Sequence, residues 1–145
     1  MKVKDIMTRS VVKIGAGETV AMAARTLTQH NIGMLPVCGS NGELCGLVTD
    51  RDLVIRCLAS GKSPDKTSVR EVMTGRVVSV SPEMDLSAAA HLMGRQQIRR
   101  LPVTENGTLC GIVTLGDLAK NQDSNLDAGD ALGEISDPMS DRNSW

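Results

Sequence analysis

Two stretches of the sequence, GLVTDRDL at residues 46–53 and GIVTLGDL at residues 111–118, place a threonine three residues before an aspartate. In both, an apolar run that predicts a strand leads into residues that predict a helix. A threonine at a helix start with an acid three residues later resembles a capping box, which stabilises the helix without any ligand. The same side chains at a strand-to-helix junction are also suited to binding a ligand, so both interpretations remain open for Thr49–Asp52 and Thr114–Asp117.

A second candidate for chemistry is the arginine pair that precedes LPV at residues 101–103. A guanidinium group meets two phosphate oxygens at once, so Arg99 and Arg100 are suited to a phosphorylated ligand. The alternative is a solvated strand edge, or an ion pair with Asp50.

Catalysis by this chain is not expected, because the sequence shows no nucleophile beside a base, no paired acids in a persuasive context and no glycine-rich phosphate loop. Its four cysteines have no CxxC spacing, and they are interpreted as reduced thiols that are mostly buried. No metal site is predicted. Zinc or redox chemistry through Cys38 and Cys45, with His30 or His91, is the alternative.

Composition and charge narrow the class of protein. The 145 residues are 41% hydrophobic, and no apolar run approaches the roughly 18 residues of a membrane span. The amino terminus lacks the apolar stretch of a secretory signal, so a cytoplasmic protein is predicted. Residues 1–121 carry 15 basic against 11 acidic residues, or +4, whereas residues 122–145 carry one against six, or −5. Scattered basic residues, with Trp145 as the single aromatic residue, do not predict nucleic-acid binding.

The chain repeats itself. VKDIMTRSVVKI at residues 3–14 matches VREVMTGRVVSV at 69–80, IGMLPV at 32–37 matches IRRLPV at 98–103, and NGELCGLVTDRDL at 41–53 matches NGTLCGIVTLGDL at 106–118. The offset between the halves is 66 residues for the first two pairs and 65 for the third. Such repetition usually indicates stacked units that depend on one another.

Each half predicts the order strand, helix, strand, strand, helix, which is an α+β fold. The first strands are VVKI and VVSV, helix starts are expected at Glu18-Thr19 and Ser81–Asp85, and Asn-Gly pairs predict the hairpin turns. The second helices are expected at about 51–59 and 116–120. The predicted organisation is a first repeat at 1–60, a linker at 61–68, a second repeat at 69–121, and an acidic, flexible tail at 122–145. A weak amphipathic helix over LDAGDALGEI is the alternative for part of this tail.

These motifs together resemble the CBS domain, named for cystathionine β-synthase, and the chain resembles a stand-alone tandem pair, or Bateman module. DIMT and EVMT, LPV, and GLVTDRD and GIVTLGD carry the resemblance over about residues 1–121. The resemblance implies two units packed with pseudo-twofold symmetry, and clefts that bind adenosine-containing ligands such as AMP, ADP, ATP, S-adenosylmethionine or NAD(H). No cofactor is required for such a role.

The resemblance also implies which residues line the clefts, with each aspartate holding ribose hydroxyls. The first cleft would be formed by Thr49, Asp52, Val77, Val78, Arg99, Arg100 and Leu101. The second, weaker cleft would be formed by Val11, Val12, Gly33, Met34, Leu35, Thr114 and Asp117. Gly33 and Met34 stand where the second repeat has its arginines, so the second cleft lacks the cation that a phosphate needs.

The leading hypothesis is therefore a non-catalytic sensor that binds an adenosine ligand, forms a homodimer and signals to an effector protein. The alternative is a structural or protein-interaction dimer whose clefts stay empty or hold a metal. Neither hypothesis involves a membrane or nucleic acid.

Overall fold

The computed structural model describes residues 1–137, which group into two compact units. The first-repeat unit contains residues 12–77 and 107–109. The second-repeat unit contains residues 1–11, 78–106 and 110–137. Both units mix helices and strands, which confirms the predicted α+β class. Within residues 1–137, no helix is long and apolar enough to cross a membrane.

The first-repeat unit is a three-stranded sheet covered by helices. Its elements are β1 (Ile14–Gly15), α1 (Val20–His30), β2 (Met34–Cys38), β3 (Leu44–Thr49), α2 (Asp50–Leu53), a π-helical turn (Val54–Leu58) and α3 (Val69–Val72). The strand order is β1-β2-β3, with β1 parallel and β3 antiparallel to β2. Helix α1 starts at the predicted cap, where Thr19 Oγ1 accepts a hydrogen bond of 3.1 Å from Met22 N. Its apolar face packs on the sheet through Val20, Ala23 and Leu27.

The second-repeat unit repeats most of this order and adds one helix. Its elements are a 3-10 turn (Val3–Asp5), α4 (Leu86–Gln96), β4 (Arg100–Glu105), β5 (Thr108–Thr114), α5 (Leu115–Ala119) and α6 (Asn125–Ile135). The predicted turn between β4 and β5 is present, with Asn106 and Gly107 at φ values of 54° and 81°. The core is formed by aliphatic and methionine side chains, among them Met93, Leu101 and Leu118, which are fully buried.

The predicted first strands are shorter than expected. VVKI contributes only Ile14 to β1, and VVSV contributes only an isolated parallel bridge between Val80 and Val103. The reason lies in the neighbouring parallel strand β2. Ile14 pairs with Val37 of β2, and the residue before Val37 is Pro36. Proline has no N–H, so the ladder cannot continue towards the amino terminus, and Pro102 has the same effect beside Val103.

The compact units do not coincide with the sequence repeats. Thr74, at the start of the second repeat, exchanges hydrogen bonds of 2.8 and 2.9 Å with Leu47 of β3 in the first-repeat unit. In the second-repeat unit, Thr8 exchanges equivalent bonds of 2.8 and 2.9 Å with Ile112 of β5. We call Met7-Thr8 and Met73-Thr74 the Met-Thr segments. Each Met-Thr segment therefore pairs with the third strand of the other sequence repeat.

Within the predicted tail, the structure has the alternative that the sequence offered, a helix over LDAGDALGEI, as α6 (Asn125–Ile135). Helix α6 buries Ala128, Ala131 and Ile135 in the core of the second-repeat unit. It is anchored by a hydrogen bond of 2.9 Å from Gln97 Nε2 to Glu134 O. The buried residues of α6 have helical spacing. Because two of them are small alanines in an acidic segment, the amphipathic pattern in the sequence is weak. The rest of the predicted tail, residues 138–145, lies outside the described residues.

Candidate functional site

Thr49 and Asp52 form a reciprocal capping box where β3 runs into α2. Thr49 N donates to Asp52 Oδ2 at 3.0 Å, and Asp52 N donates to Thr49 Oγ1 at 3.1 Å. Both residues are buried, with Asp52 only 8% exposed. The structure therefore contains the predicted helix cap. A ligand-binding role would be a second role for the same carboxylate.

The start of β2 lies beside this box in the same unit. Met34 is the Cα partner of Thr49, and Leu35 is the partner of Val48. Asp50 N donates a hydrogen bond of 3.1 Å to Gly33 O. The structure thus brings Gly33, Met34 and Leu35, predicted for the second cleft, together with Thr49 and Asp52, predicted for the first.

Arg56 is the cation nearest to Asp52 within the first-repeat unit. Its Nε lies 3.8 Å from Asp52 Oδ1, one helical turn away. Its Nη1 donates to Val72 O at 3.4 Å and to Met73 O at 3.1 Å. One arginine therefore connects the carboxylate to the segment that carries the second Met-Thr motif.

The second-repeat unit has the equivalent junction between β5 and α5. Thr114 N donates to Asp117 Oδ2 at 2.9 Å, and Asp117 N donates to Thr114 Oγ1 at 3.1 Å. Leu115 N donates a hydrogen bond of 2.8 Å to Arg99 O, so the arginine pair starts beside this box. Asp117 is half-buried, less shielded than Asp52, and Asn121 stands at the position equivalent to Arg56.

The remaining predicted residues lie near the ends of the short first strands or in β4. Val12 and Val77, in the first-repeat unit, and Val11 and Val78, in the second-repeat unit, are half-buried and belong to no strand. Leu101 is fully buried, Arg99 is exposed and Arg100 is half-buried. Each predicted cleft takes residues from both units, so the pairing of Asp52 with Arg99 and Arg100, and of Asp117 with Gly33 and Met34, stays a prediction.

A third capping box provides an internal comparison. Ser68 N donates to Glu71 Oε2 at 2.9 Å at the start of α3, and this hydrogen bond lowers the pKa of Glu71. Glu71 is exposed, as expected of an acid that only caps a helix. Asp52 performs the same capping while buried, which costs desolvation that a cap at the surface avoids. Capping alone therefore does not explain why Asp52 is buried.

The structure shows the surroundings of the cysteines that the zinc alternative involves. Within residues 1–137, no three His, Cys, Asp or Glu side chains are grouped closely enough to hold a metal. Burial raises the pKa of the Cys38 thiol and of the Cys110 thiol. A raised pKa keeps a free thiol protonated, and the protonated form is a poor nucleophile.

Sequence reasoning missed Arg56 as a site residue. The signal was present, because an arginine four residues after an aspartate is a standard helical ion-pair spacing. Its contacts with Val72 and Met73 were not predictable, since they depend on the exchange of Met-Thr segments between the repeats.

Comparisons with known proteins agree with these motifs. The family model for the CBS domain matches residues 3–58 and 69–124. The CBS domain-containing protein YhcV of Bacillus subtilis is 47% identical over 134 residues, which span 92% of this chain and 94% of that protein.

Two solved structures are similar over most of their length. The crystal structure of Hypoxic Response Protein I with two coordinated zinc ions has a TM-score of 0.76 at 36% identity, covering 83% of this chain and 98% of that one. The CBS domain pair of protein MJ0100, in complex with 5′-methylthioadenosine and S-adenosyl-L-methionine, has a TM-score of 0.71 at 28% identity, covering 83% and 94%.

Proposed function

Because the chain belongs to the CBS domain family and carries two such domains in tandem, we propose that it is a non-catalytic sensor of an adenosine-containing ligand. The observation that carries this proposal is the buried carboxylate of Asp52 at the end of β3. Oδ2 is held by Thr49 N, so the carboxylate is already oriented before a ligand arrives. A carboxylate fixed in this way accepts short, strong hydrogen bonds from the hydroxyl groups of a ribose. The relative that binds 5′-methylthioadenosine and S-adenosylmethionine supports this ligand class.

Judged by the nearest residues within each unit, and not by the predicted cleft pairing of Asp52 with Arg99 and Arg100, the two capping boxes favour different ligands. Beside Thr49 and Asp52, the first-repeat unit offers Gly33 and the apolar Met34, which suit an uncharged or cationic adenosine derivative. Beside Thr114 and Asp117, the second-repeat unit offers the arginine pair, and arginine is suited to phosphate. We therefore expect S-adenosylmethionine or methylthioadenosine to depend mainly on Asp52, and a nucleotide to depend also on Asp117.

Arg56 gives the first-repeat unit a route from ligand to signal. A ribose hydroxyl that donates to Asp52 Oδ1 competes with the guanidinium group at 3.8 Å. Weakening that contact also loosens Arg56 from Val72 O and Met73 O, and so changes how the Met-Thr segment is held. The ligand shifts such an equilibrium only by its differential affinity for the two arrangements. We propose that a cytoplasmic homodimer presents this change to an effector protein.

A thermal-stability screen tests the proposal. The full chain is melted with S-adenosylmethionine, methylthioadenosine, AMP, ATP, NADH or zinc, each added in excess. A ligand at 100 times its dissociation constant stabilises the folded state by about 2.7 kcal/mol, which shifts Tm by several degrees. We expect an adenosine ligand to give this shift and Asp52→Asn, which keeps an oxygen for the cap, to remove it.

The matched control is Glu71→Gln, which neutralises the acid of a capping box that is exposed. This variant should retain the ligand-induced shift in full, so a loss specific to Asp52 cannot be attributed to a weakened helix start. The proposal fails if no adenosine compound shifts Tm, or if Asp52→Asn combined with Asp117→Asn responds as the wild type does. A response to zinc alone would favour the metal-binding alternative.

A further inference from the structure

The two strand-to-helix junctions differ in charge at one matched position. In the first-repeat unit, Asp50 N donates a hydrogen bond of 3.1 Å to Gly33 O. In the second-repeat unit, Leu115 N donates the equivalent bond of 2.8 Å to Arg99 O. The same backbone contact thus joins an acid to a glycine in one unit and a leucine to an arginine in the other.

The Asp50 carboxylate lies over the start of β2. Its Oδ2 is 3.6 Å from the position that a Cβ on Gly33 would take. Its Oδ1 accepts a hydrogen bond of 2.8 Å from Arg51 N, which holds the carboxylate in this orientation. Because the start of β2 lies beside the capping box of Asp52, the two carboxylates belong to the same junction.

Helix capping does not require the charge of Asp50. In the second-repeat unit, Leu115 occupies the same position, and the box of Thr114 and Asp117 is complete without an acid there. Leu115 is buried, whereas Asp50 is exposed to solvent and accessible to a ligand. A charge at this edge acts on a ligand even without direct contact, because screening in physiological salt extends over about 8 Å.

We propose that Asp50 is a specificity-determining residue, which makes the first-repeat junction select adenosine ligands with a cationic 5′ substituent. This inference rests on the proposed function, in which Asp52 holds the ribose. S-adenosylmethionine has a positively charged sulfur on its 5′ carbon, whereas AMP and ATP have phosphate there. A carboxylate beside the ribose site attracts the first and repels the second, and Arg99 has the opposite preference in the second-repeat unit.

Titration calorimetry of the full chain with S-adenosylmethionine and S-adenosylhomocysteine tests the proposal. The two compounds differ by the methyl group that makes the sulfur cationic, so the ratio of their dissociation constants reports selection by charge. Every protein carries Asp117→Asn, which removes the predicted ribose-binding carboxylate of the second-repeat unit. We expect this parent to prefer S-adenosylmethionine, and Asp50→Asn to reduce the preference about two- to five-fold, the range for charges at partly exposed sites. Asparagine keeps an oxygen for Arg51 N.

The matched control is Asp65→Asn, which removes the same charge from an exposed position elsewhere in the first-repeat unit and should keep the preference. Salt of about 1 M should reduce the preference of the parent more than that of Asp50→Asn, because screening acts on the charge. An unchanged ratio in Asp50→Asn overturns the proposal and leaves the proposed function intact. Equal weakening of both compounds also overturns it. If neither compound nor AMP binds the wild-type chain, the proposed function and this inference fail together.

Discussion

Ile135→Ala is expected to lower the free energy of unfolding by about 2–5 kcal/mol, the range for removing a large aliphatic side chain from a protein core. Ile135 is 2% exposed and lies in the same core cluster as Met93 and Leu118. The residue is near the end of the described chain, where sequence composition predicted flexibility. A large loss of stability would show that α6 is a structural part of the second-repeat unit.

The control for this substitution is Ile32→Ala, which removes the same atoms from a residue that is 38% exposed. That variant should lose about 1 kcal/mol or less, because a side chain that is already 38% exposed gives up less burial and leaves a smaller cavity when it is truncated. Urea unfolding followed by circular dichroism measures both variants. Equal losses of unfolding free energy for the two variants would contradict the packing of α6 and would favour the prediction of a flexible tail.

Local features of the fold could be predicted because short-range chemistry determines them. The cap at Thr19, the turn at Asn106-Gly107 and the two Thr-x-x-Asp junctions each depend on residues within four positions of one another. The capping chemistry was therefore visible in the sequence. Whether the carboxylate also binds a ligand was not visible, because that depends on its burial, and burial is set by residues far away in the chain.

The exchange of Met-Thr segments could not be predicted from the repeats. A duplicated sequence offers each Met-Thr segment two nearly identical third strands, and nothing local distinguishes Leu47 from Ile112 as the partner of Thr74. The structure selects Leu47 for Thr74 and Ile112 for Thr8. The contacts of Arg56 with Val72 and Met73 depend on the pairing of Thr74 with Leu47, so they could not be predicted from the sequence either.

The repeated glycine of GLVT and GIVT has a specific role in this exchange. A Cβ on Gly46 would lie 2.6 Å from Thr74 O and 2.9 Å from Met73 Sδ. A Cβ on Gly111 would lie 2.6 Å from Met7 Sδ and 3.0 Å from Thr8 O. Glycine is present at both positions because the Met-Thr segment approaches the third strand too closely for any side chain.

Gly46→Ala is therefore expected to lower the free energy of unfolding by about 1–3 kcal/mol, as overpacking in a well-packed region does. Thr74 O cannot move away cheaply, because it accepts a hydrogen bond of 2.9 Å from Leu47 N. Gly111→Ala should cost less, since the nearest atom belongs to a methionine side chain, which can adapt, and the carbonyl is farther away. Urea unfolding of the two variants measures the difference.

Gly17→Ala is the matched control, because a Cβ there meets nothing within 4 Å. It should be neutral or slightly stabilising, since alanine reduces the conformational entropy of the unfolded chain. The expected order of destabilisation is Gly46, then Gly111, then Gly17. If Gly46→Ala were as stable as Gly17→Ala, Thr74 could not be seated on β3. Arg56 would then lose its contacts with Val72 and Met73, and the proposed route from Asp52 to the Met-Thr segment would have no structural basis.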